Sequence, residues 1–172
     1  MVVTQSYASP LGEMLLSADE AGVTGLWFAQ QKYYARGLPP EAVPGETPVL
    51  AQARQWLNVC FSGRQPDFLP PLHPNGTDFQ KAVWNLLLQI PYGKTMTYGE
   101  IARRLGKTMS AQAVGGAVGH NPISIMIPCH RVVGTNGSLT GYAGGIQRKI
   151  RLLELEEADV REFFVPKTGT AL

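Results

Sequence analysis

The 172-residue chain predicts a mixed α/β fold of the α+β kind, with a small N-terminal antiparallel sheet domain followed by a helical C-terminal domain. Three observations carry that expectation. Short apolar runs before residue 30 are punctuated by turn signals. A segment dense in proline, residues 66–76 (PDFLPPLHPNG), interrupts the chain. Beyond it, apolar residues recur at helical spacing, and hydroxyl residues stand where helices would begin.

In chain order, Tyr7–Ala8, the turn Ser9-Pro10-Leu11-Gly12 and Glu13–Ala18 read as a hairpin. Asp19-Glu20-Ala21-Gly22 is a second turn, ahead of the apolar run Val23–Phe28. Residues 31–48 carry prolines at 39, 40, 44 and 48 and read as a loop. Val49–Phe61 has apolar residues at 49, 50, 53, 56, 57, 60 and 61, a helix with one buried face on which Cys60 is an inert, packed thiol. These signals divide the chain into a domain over 1–70, a linker over 71–76 with His73 as a surface residue, and a domain over 77–172.

In the second domain, Thr77-Asp78-Phe79-Gln80 matches a capping box that opens a helix expected to reach Ile90, where Pro91 stops it. Pro91-Tyr92-Gly93-Lys94 is a turn. Thr97 caps a short helix, Tyr98–Leu105, ended by Gly106, and Ser110 caps another, Ala111–Gly119. Two short helices around a Gly-containing turn suggest a helix-turn-helix. The second is a poor helix by composition, because each interior glycine costs about 1 kcal/mol relative to alanine. Either another helix packs closely on it, or a sugar-phosphate chain or groove floor approaches its backbone.

Composition narrows the function. At 44% hydrophobic the chain can build a core, and at 16% charged it is not a charge-expanded disordered protein. No apolar run approaches the roughly 20 residues of a membrane span. Met1–Pro10 lacks a basic stretch followed by an apolar one, so no secretory signal is expected. Two cysteines cannot make a disulfide framework, and free thiols fit a reducing cytoplasm. The net charge of +2 is unevenly spread: residues 1–76 hold four basic and six acidic side chains, residues 77–172 eleven and seven. Between Lys94 and Arg151, eight basic residues face one acid, Glu100, which fits an anionic partner or a solvated basic face.

The segment richest in chemistry is Ile123-Ser124-Ile125-Met126-Ile127-Pro128-Cys129-His130-Arg131-Val132-Val133-Gly134. It reads as an apolar strand, Ile123–Ile127, ended by Pro128. Cys129 would then sit at a strand end beside His130 and Arg131, where positive neighbours and exposure lower a thiol pKa. Adjacent strand residues point to opposite faces, so Cys129 and His130 can cooperate only if the chain turns or a water bridges them. A buried cysteine with a hydrogen-bonded histidine is the competing reading. Asn136-Gly137 is a strong turn, and Thr140–Gly145 can present backbone N–H groups to a ligand.

Pro128-Cys129-His130-Arg131-Val132 resembles the signature of the O6-alkylguanine-DNA alkyltransferases, the methylated-DNA–protein-cysteine methyltransferases. Thr97–Ala102, Ala113–Ala117, Gly119–Ile125 and Gly141–Gly145 are similar to that family in order and spacing, and the likeness covers about Gly76–Glu156. The resemblance implies a ribonuclease-H-like N-terminal domain and a C-terminal winged helix-turn-helix. It implies DNA repair by stoichiometric, self-inactivating transfer of an alkyl group from O6-alkylguanine, and from O4-methylthymine, to Cys129. In its terms, His130 takes the thiol proton through a water, Glu156 orients that histidine, Tyr98 donates to guanine N3, and Asn121 ties the turn before the cysteine. Val132, Tyr142, Ala143, Gly144 and Lys149 line or brace the base pocket, with the carbonyls of Cys129 and Val132 accepting from the exocyclic amine. Double-stranded DNA is the partner, bound in its minor groove with the damaged base flipped out. Gln112, Ala113, Gly115, Gly116 and Arg131 are the implied DNA contacts. Family habit implies a monomer and no cofactor. No metal site is expected, since residues 1–76 hold one cysteine and one histidine.

Two departures stand out. Many relatives place an intercalating arginine where this chain has Gln112, and some place serine where it has Ala143. Two other readings compete: a non-catalytic damage-sensing DNA-binding protein of the same fold, and a Cys-His hydrolase.

Overall fold

The computed structural model describes residues 1–106 and 109–166. The chain forms two compact units. The first comprises residues 1–75 and 122–126, and the second begins at 76–121 and resumes at Ile127.

In the first unit, β1 (Val3–Ser9), β2 (Gly12–Ala18) and β3 (Val23–Phe28) form an antiparallel meander. The residue pair Ser9↔Gly12 closes the first hairpin. The loop expected over 31–48 contains one short ladder, β4 (Val43–Pro44), which pairs parallel to β1 and completes the order β3-β2-β1-β4. Helix α1 (Pro48–Phe61) starts one residue earlier than expected, because Pro48 is tolerated in the first turn while the Thr47 hydroxyl accepts from Leu50 N. Its buried face, Leu50, Ala53, Trp56, Leu57 and Cys60, packs on the sheet. Leu16, Ala18, Val23, Leu26 and Phe28 are fully buried there. Residues 71–73, read from sequence as linker, pair along β3: Val23 N donates to Pro71 O and His73 N to Val23 O. A side chain at Gly22 would meet Pro71 O at 2.4 Å, which explains the glycine.

In the second unit, α2 (Asp78–Leu87) opens with the capping box expected at Thr77 and Gln80. It ends three residues short of Ile90, because Gln89 and Ile90 switch to tighter bonds with the carbonyls three residues back. Helices α3 (Tyr98–Leu105) and α4 (Ala111–Gly119) match their expected bounds, capped by Thr97 and Ser110. They pack on each other and on α2, with Trp84 Nε1 donating to Ala117 O at 2.9 Å. A two-residue parallel ladder joins β5 (Met96–Thr97) to β6 (Val132–Val133), and α5 (Ile146–Leu155) follows. The fold is thus the mixed α+β arrangement expected.

The expected strand Ile123–Ile127 does not form. Only Ile123 makes a bridge, to Leu26 within the first unit, and Ile125 then turns with φ of 70°. An unbroken apolar run cannot distinguish a strand from a buried turn, and residues 123–127 are all buried. Among the described residues, no helix is long and apolar enough to cross a membrane, and no cluster of three or more His, Cys, Asp or Glu could hold a metal ion.

Candidate active site

Cys129 opens a single 3-10 turn, Cys129–Arg131, rather than ending a strand. Successive residues in such a turn diverge by about 120°, not by the half-turn of a strand. That geometry removes the objection that Cys129 and His130 must face apart. The turn is held by Arg131 N donating to Pro128 O at 3.0 Å and Val132 N donating to Cys129 O.

The thiol is buried, 5% exposed, which contradicts the exposed, acidified cysteine expected from sequence. Burial pushes its pKa up; a hydrogen bond from the Asn121 side chain and the positive charge of Lys149 pull it back down. Asn121 also donates its Nδ2 to Ile127 O at 2.8 Å, fastening the backbone just ahead of Pro128. Arg131 is therefore not the cation that serves the thiol.

His130 is fully buried and lies with Nε2 2.9 Å from Glu156 Oε2. The carboxylate can only accept, so Nε2 carries the proton and Nδ1 is left as the acceptor. Nδ1 has no hydrogen-bond partner among the described residues. Burial lowers the imidazole pKa against the opposing pull of Glu156, keeping the ring neutral and able to take a proton. Burial also opposes ionisation of Glu156, but hydrogen bonds from His130 and Arg131 outweigh it and hold that carboxyl at about 2.

Arg131 was expected on DNA, and the structure assigns it elsewhere. Its Nε and Nη2 grip both Glu156 oxygens at 2.9 and 2.7 Å, and Nη1 donates to Ile90 O at 2.8 Å. The guanidinium also lies 5.6 Å from the Tyr92 ring centre. A planar fork that matches a carboxylate bidentately is satisfied here inside the fold.

Lys149 is fully buried on α5, and its ammonium donates to Val132 O at 2.5 Å and Thr140 O at 3.0 Å. Burial lowers its pKa to about 8, with the Cys129 charge acting in the other direction. Tyr98, at the first turn of α3, donates its hydroxyl to Thr140 O at 3.2 Å, and burial raises its pKa. Tyr142 and Gly144 are buried and Ala143 is half-buried. Three contributors escaped the sequence reading: the carbonyls of Thr140 and Ile90, and Gly93 N, which donates to Glu156 Oε1 at 3.4 Å. Backbone groups carry no residue-type signal, so only the Pro91–Lys94 turn and the Thr140–Gly145 segment, read for its N–H groups, hinted at them.

On α4, Gln112 and Ala113 are exposed. Gly116 lies on the open side, where an added Cβ would meet nothing within 4 Å. Gly115, expected among the DNA contacts, is buried within the unit. Arg103 and Arg104 are exposed at the end of α3, as are Lys94 and Arg151.

Two family models match. One, described as the DNA binding domain of 6-O-methylguanine DNA methyltransferase, spans residues 78–158, and the other, its ribonuclease-like domain, spans residues 2–74. The chain is 44% identical over 158 residues to a methylated-DNA–protein-cysteine methyltransferase of Mycobacterium bovis, covering 92% of this chain and 94% of that one. It is 46% identical over 150 residues to a protein of the same name from Methanosarcina acetivorans, covering 87% and 95%. The crystal structure of Mycobacterium tuberculosis OGT in complex with DNA matches with TM-score 0.81 and 43% identity, over 90% of this chain and 92% of that one. The crystal structure of the Mycobacterium tuberculosis O6-methylguanine methyltransferase matches with TM-score 0.79 and 42% identity, over 98% and 97%. With both models together spanning nearly all of the sequence, and relatives more than 40% identical over most of it, the chain belongs to the 6-O-methylguanine DNA methyltransferase family.

Proposed function

We propose that the protein repairs DNA by moving an alkyl group from the O6 atom of guanine onto Sγ of Cys129. The observation that carries this reading is the buried chain of contacts from Glu156 through His130, whose Nδ1 is an open acceptor in the same 3-10 turn as the thiol.

The target oxygen lies in the base-pairing edge of a stacked base, so the nucleotide must leave the duplex to meet a buried thiol. Cys129 gives its proton to His130 Nδ1 through a water, and the resulting imidazolium is stabilised by ionised Glu156. The thiolate attacks the alkyl carbon; the S–C bond forms as the C–O6 bond breaks, with the electron pair leaving on the guanine. Tyr98 donates toward guanine N3 as negative charge develops on the leaving base. Lys149 faces the thiolate with a positive charge and holds the carbonyls of Val132 and Thr140 in place. Tyr142, Ala143 and Gly144 form the pocket edge, with the Ala143 N–H toward O6.

The product is a thioether, with no leaving group that water displaces at neutral pH. One molecule therefore repairs one lesion, and O4-methylthymine is a second substrate of the same chemistry. DNA binds through the exposed face of α4, led by Gln112, Ala113 and Gly116, and through phosphate contacts from the exposed cations. A reducing, cytoplasmic setting suits a reaction that requires a free thiol. Mixing protein with excess O6-methylguanine duplex should release a burst of repaired DNA equal to the protein present. Sustained turnover would refute the proposal.

A further inference from the structure

Asn-Gly occurs twice in the chain, at Asn75-Gly76 and Asn136-Gly137, and alkyl transfer uses neither asparagine. An asparagine side chain ahead of glycine is open to the next backbone nitrogen, because glycine has no Cβ to stand in the way. Closing the five-membered ring requires that nitrogen to swing round until it eclipses the Asn Cβ. The fold treats the two steps differently.

Asn136 lies inside the 3-10 turn Thr135–Gly137, at φ 71° and ψ 12°. Gly137 N, the attacking group, donates to Gly134 O at 3.1 Å. Gly137 O accepts from Phe164 N at 3.1 Å, and a Cβ on Gly137 would meet Glu162 O at 2.7 Å. Leaving a ψ of 12° for the eclipsed arrangement therefore breaks the Gly137 N–H bond and disturbs a crowded backbone.

Asn75 is exposed and lies outside any helix or strand. Among the described residues neither its side chain nor the N–H of Gly76 has a hydrogen-bond partner. Ties flank the step: His73 N donates to Val23 O at 2.7 Å, and Thr77 N to Gln80 Oε1 at 3.0 Å. Asn75 and Gly76 form the free span between them. The glycine cannot be exchanged, because a Cβ there would meet the Trp84 ring at 2.5 Å. Trp84 cannot yield, being buried with its Nε1 on Ala117 O at 2.9 Å. Seating that ring thus requires the one residue that leaves Asn75 unshielded.

We infer that Asn75 is a site of spontaneous deamidation in the folded protein, from which Asn136 is protected. Gly76 N attacks Asn75 Cγ; a C–N bond forms, the bond to the side-chain nitrogen breaks, and ammonia leaves with the backbone proton. Water then opens the succinimide at either carbonyl, giving aspartate or isoaspartate. Either product lowers the formal charge of the chain by one from +2. The new carboxylate stands two residues ahead of the Thr77 cap of α2, at the helix end that favours negative charge. Isoaspartate also adds a methylene to the main chain where it passes from the first unit to the second.

The test incubates the full-length protein at mildly alkaline pH and follows both sites by tryptic peptide mapping, with and without denaturing urea. Asn75 and Asn136 fall in separate peptides, residues 65–81 and 132–148, and each is the sole asparagine of its peptide. In the folded protein the Asn75 products, a resolved pair of aspartyl and isoaspartyl peptides, accumulate at least about tenfold faster, since the Gly137 hydrogen bond alone is worth about that factor. In urea the two rates converge. Asn75→Gln abolishes the products of the 65–81 peptide and leaves the Asn136 rate as it was. The inference is overturned if both sites react equally in the folded protein, if Asn136 reacts faster, or if the difference persists in urea and so belongs to local sequence. It is also overturned if Asn75 survives in the folded protein over a time in which it reacts in urea.

Discussion

His130 and Glu156 stand 26 positions apart in the sequence and 2.9 Å apart in the fold, joined by a hydrogen bond buried at both ends. Arg131 closes the arrangement from the other side, so one carboxylate serves a neutral imidazole and a permanent cation together. The imidazole is thereby held in one tautomer and one orientation, with Nδ1 free to accept.

Glu156→Gln removes the charge that stabilises an imidazolium while leaving an acceptor of similar shape. Single-turnover transfer from an O6-methylguanine duplex is expected to slow by about 100-fold. Stability should respond as well. The native carboxyl, at about 2 against an ordinary 4.5, stabilises the fold fully above pH 4.5 and loses that contribution as pH falls toward 2. The amount at stake is roughly 3 kcal/mol. Urea unfolding at pH 7 and pH 3 should therefore show a smaller pH difference in Glu156→Gln than in the wild type.

Arg131→Ala leaves Glu156 and Ile90 O without their guanidinium, and breaking such a buried pair costs about 3 kcal/mol. The loss should appear in chemical denaturation. The salt slope of DNA binding should stay as in the wild type, because the guanidinium donors are engaged inside the fold. A slope lowered by about 1 would instead return Arg131 to the DNA interface.

Gly116 separates folding from binding. With nothing within 4 Å of an added Cβ, Gly116→Ala should stabilise α4 by up to about 1 kcal/mol. If the backbone there lies against DNA, the same methyl lowers duplex affinity while transfer from free O6-benzylguanine is unaffected. Calorimetry and a binding titration on one preparation check both halves.

Gln112 is exposed near the start of α4 and lacks the charge and stacking face of an arginine. Gln112→Arg is expected to tighten duplex binding and speed repair of duplex substrate, with the rate on the free base unchanged. Equal affinity and equal repair rate in the variant would show that the glutamine performs extrusion as well as arginine could.

Much of the secondary structure was legible because its signals are local. Thr77, Thr97 and Ser110 each cap a helix in the way their side-chain chemistry allows. The 123–127 segment was not legible, since an apolar run reports burial and not backbone direction; a turn at Ile125 with positive φ has no sequence mark. The same misreading exposed Cys129 on a strand end and gave it a lowered pKa, whereas burial raises it. Arg131 looked like a DNA ligand because its partner, Glu156, is remote in sequence. The pairing of Glu156 with His130 came into view through family resemblance and not through spacing. Thr140 was misread for a different reason: its segment stood out for backbone N–H groups, and it contributes its carbonyl, which every residue possesses.

The central claim is that Cys129 itself receives the alkyl carbon and keeps it. Intact-mass measurement and peptide mapping after incubation with O6-methylguanine duplex test it directly, with Cys129→Ser and Cys60→Ser in parallel. The account predicts one added methyl group per molecule, mapped to Cys129, in the wild type and in Cys60→Ser, and none in Cys129→Ser. An unmodified Cys129 alongside repaired DNA, or a methyl group on Cys60, would contradict it.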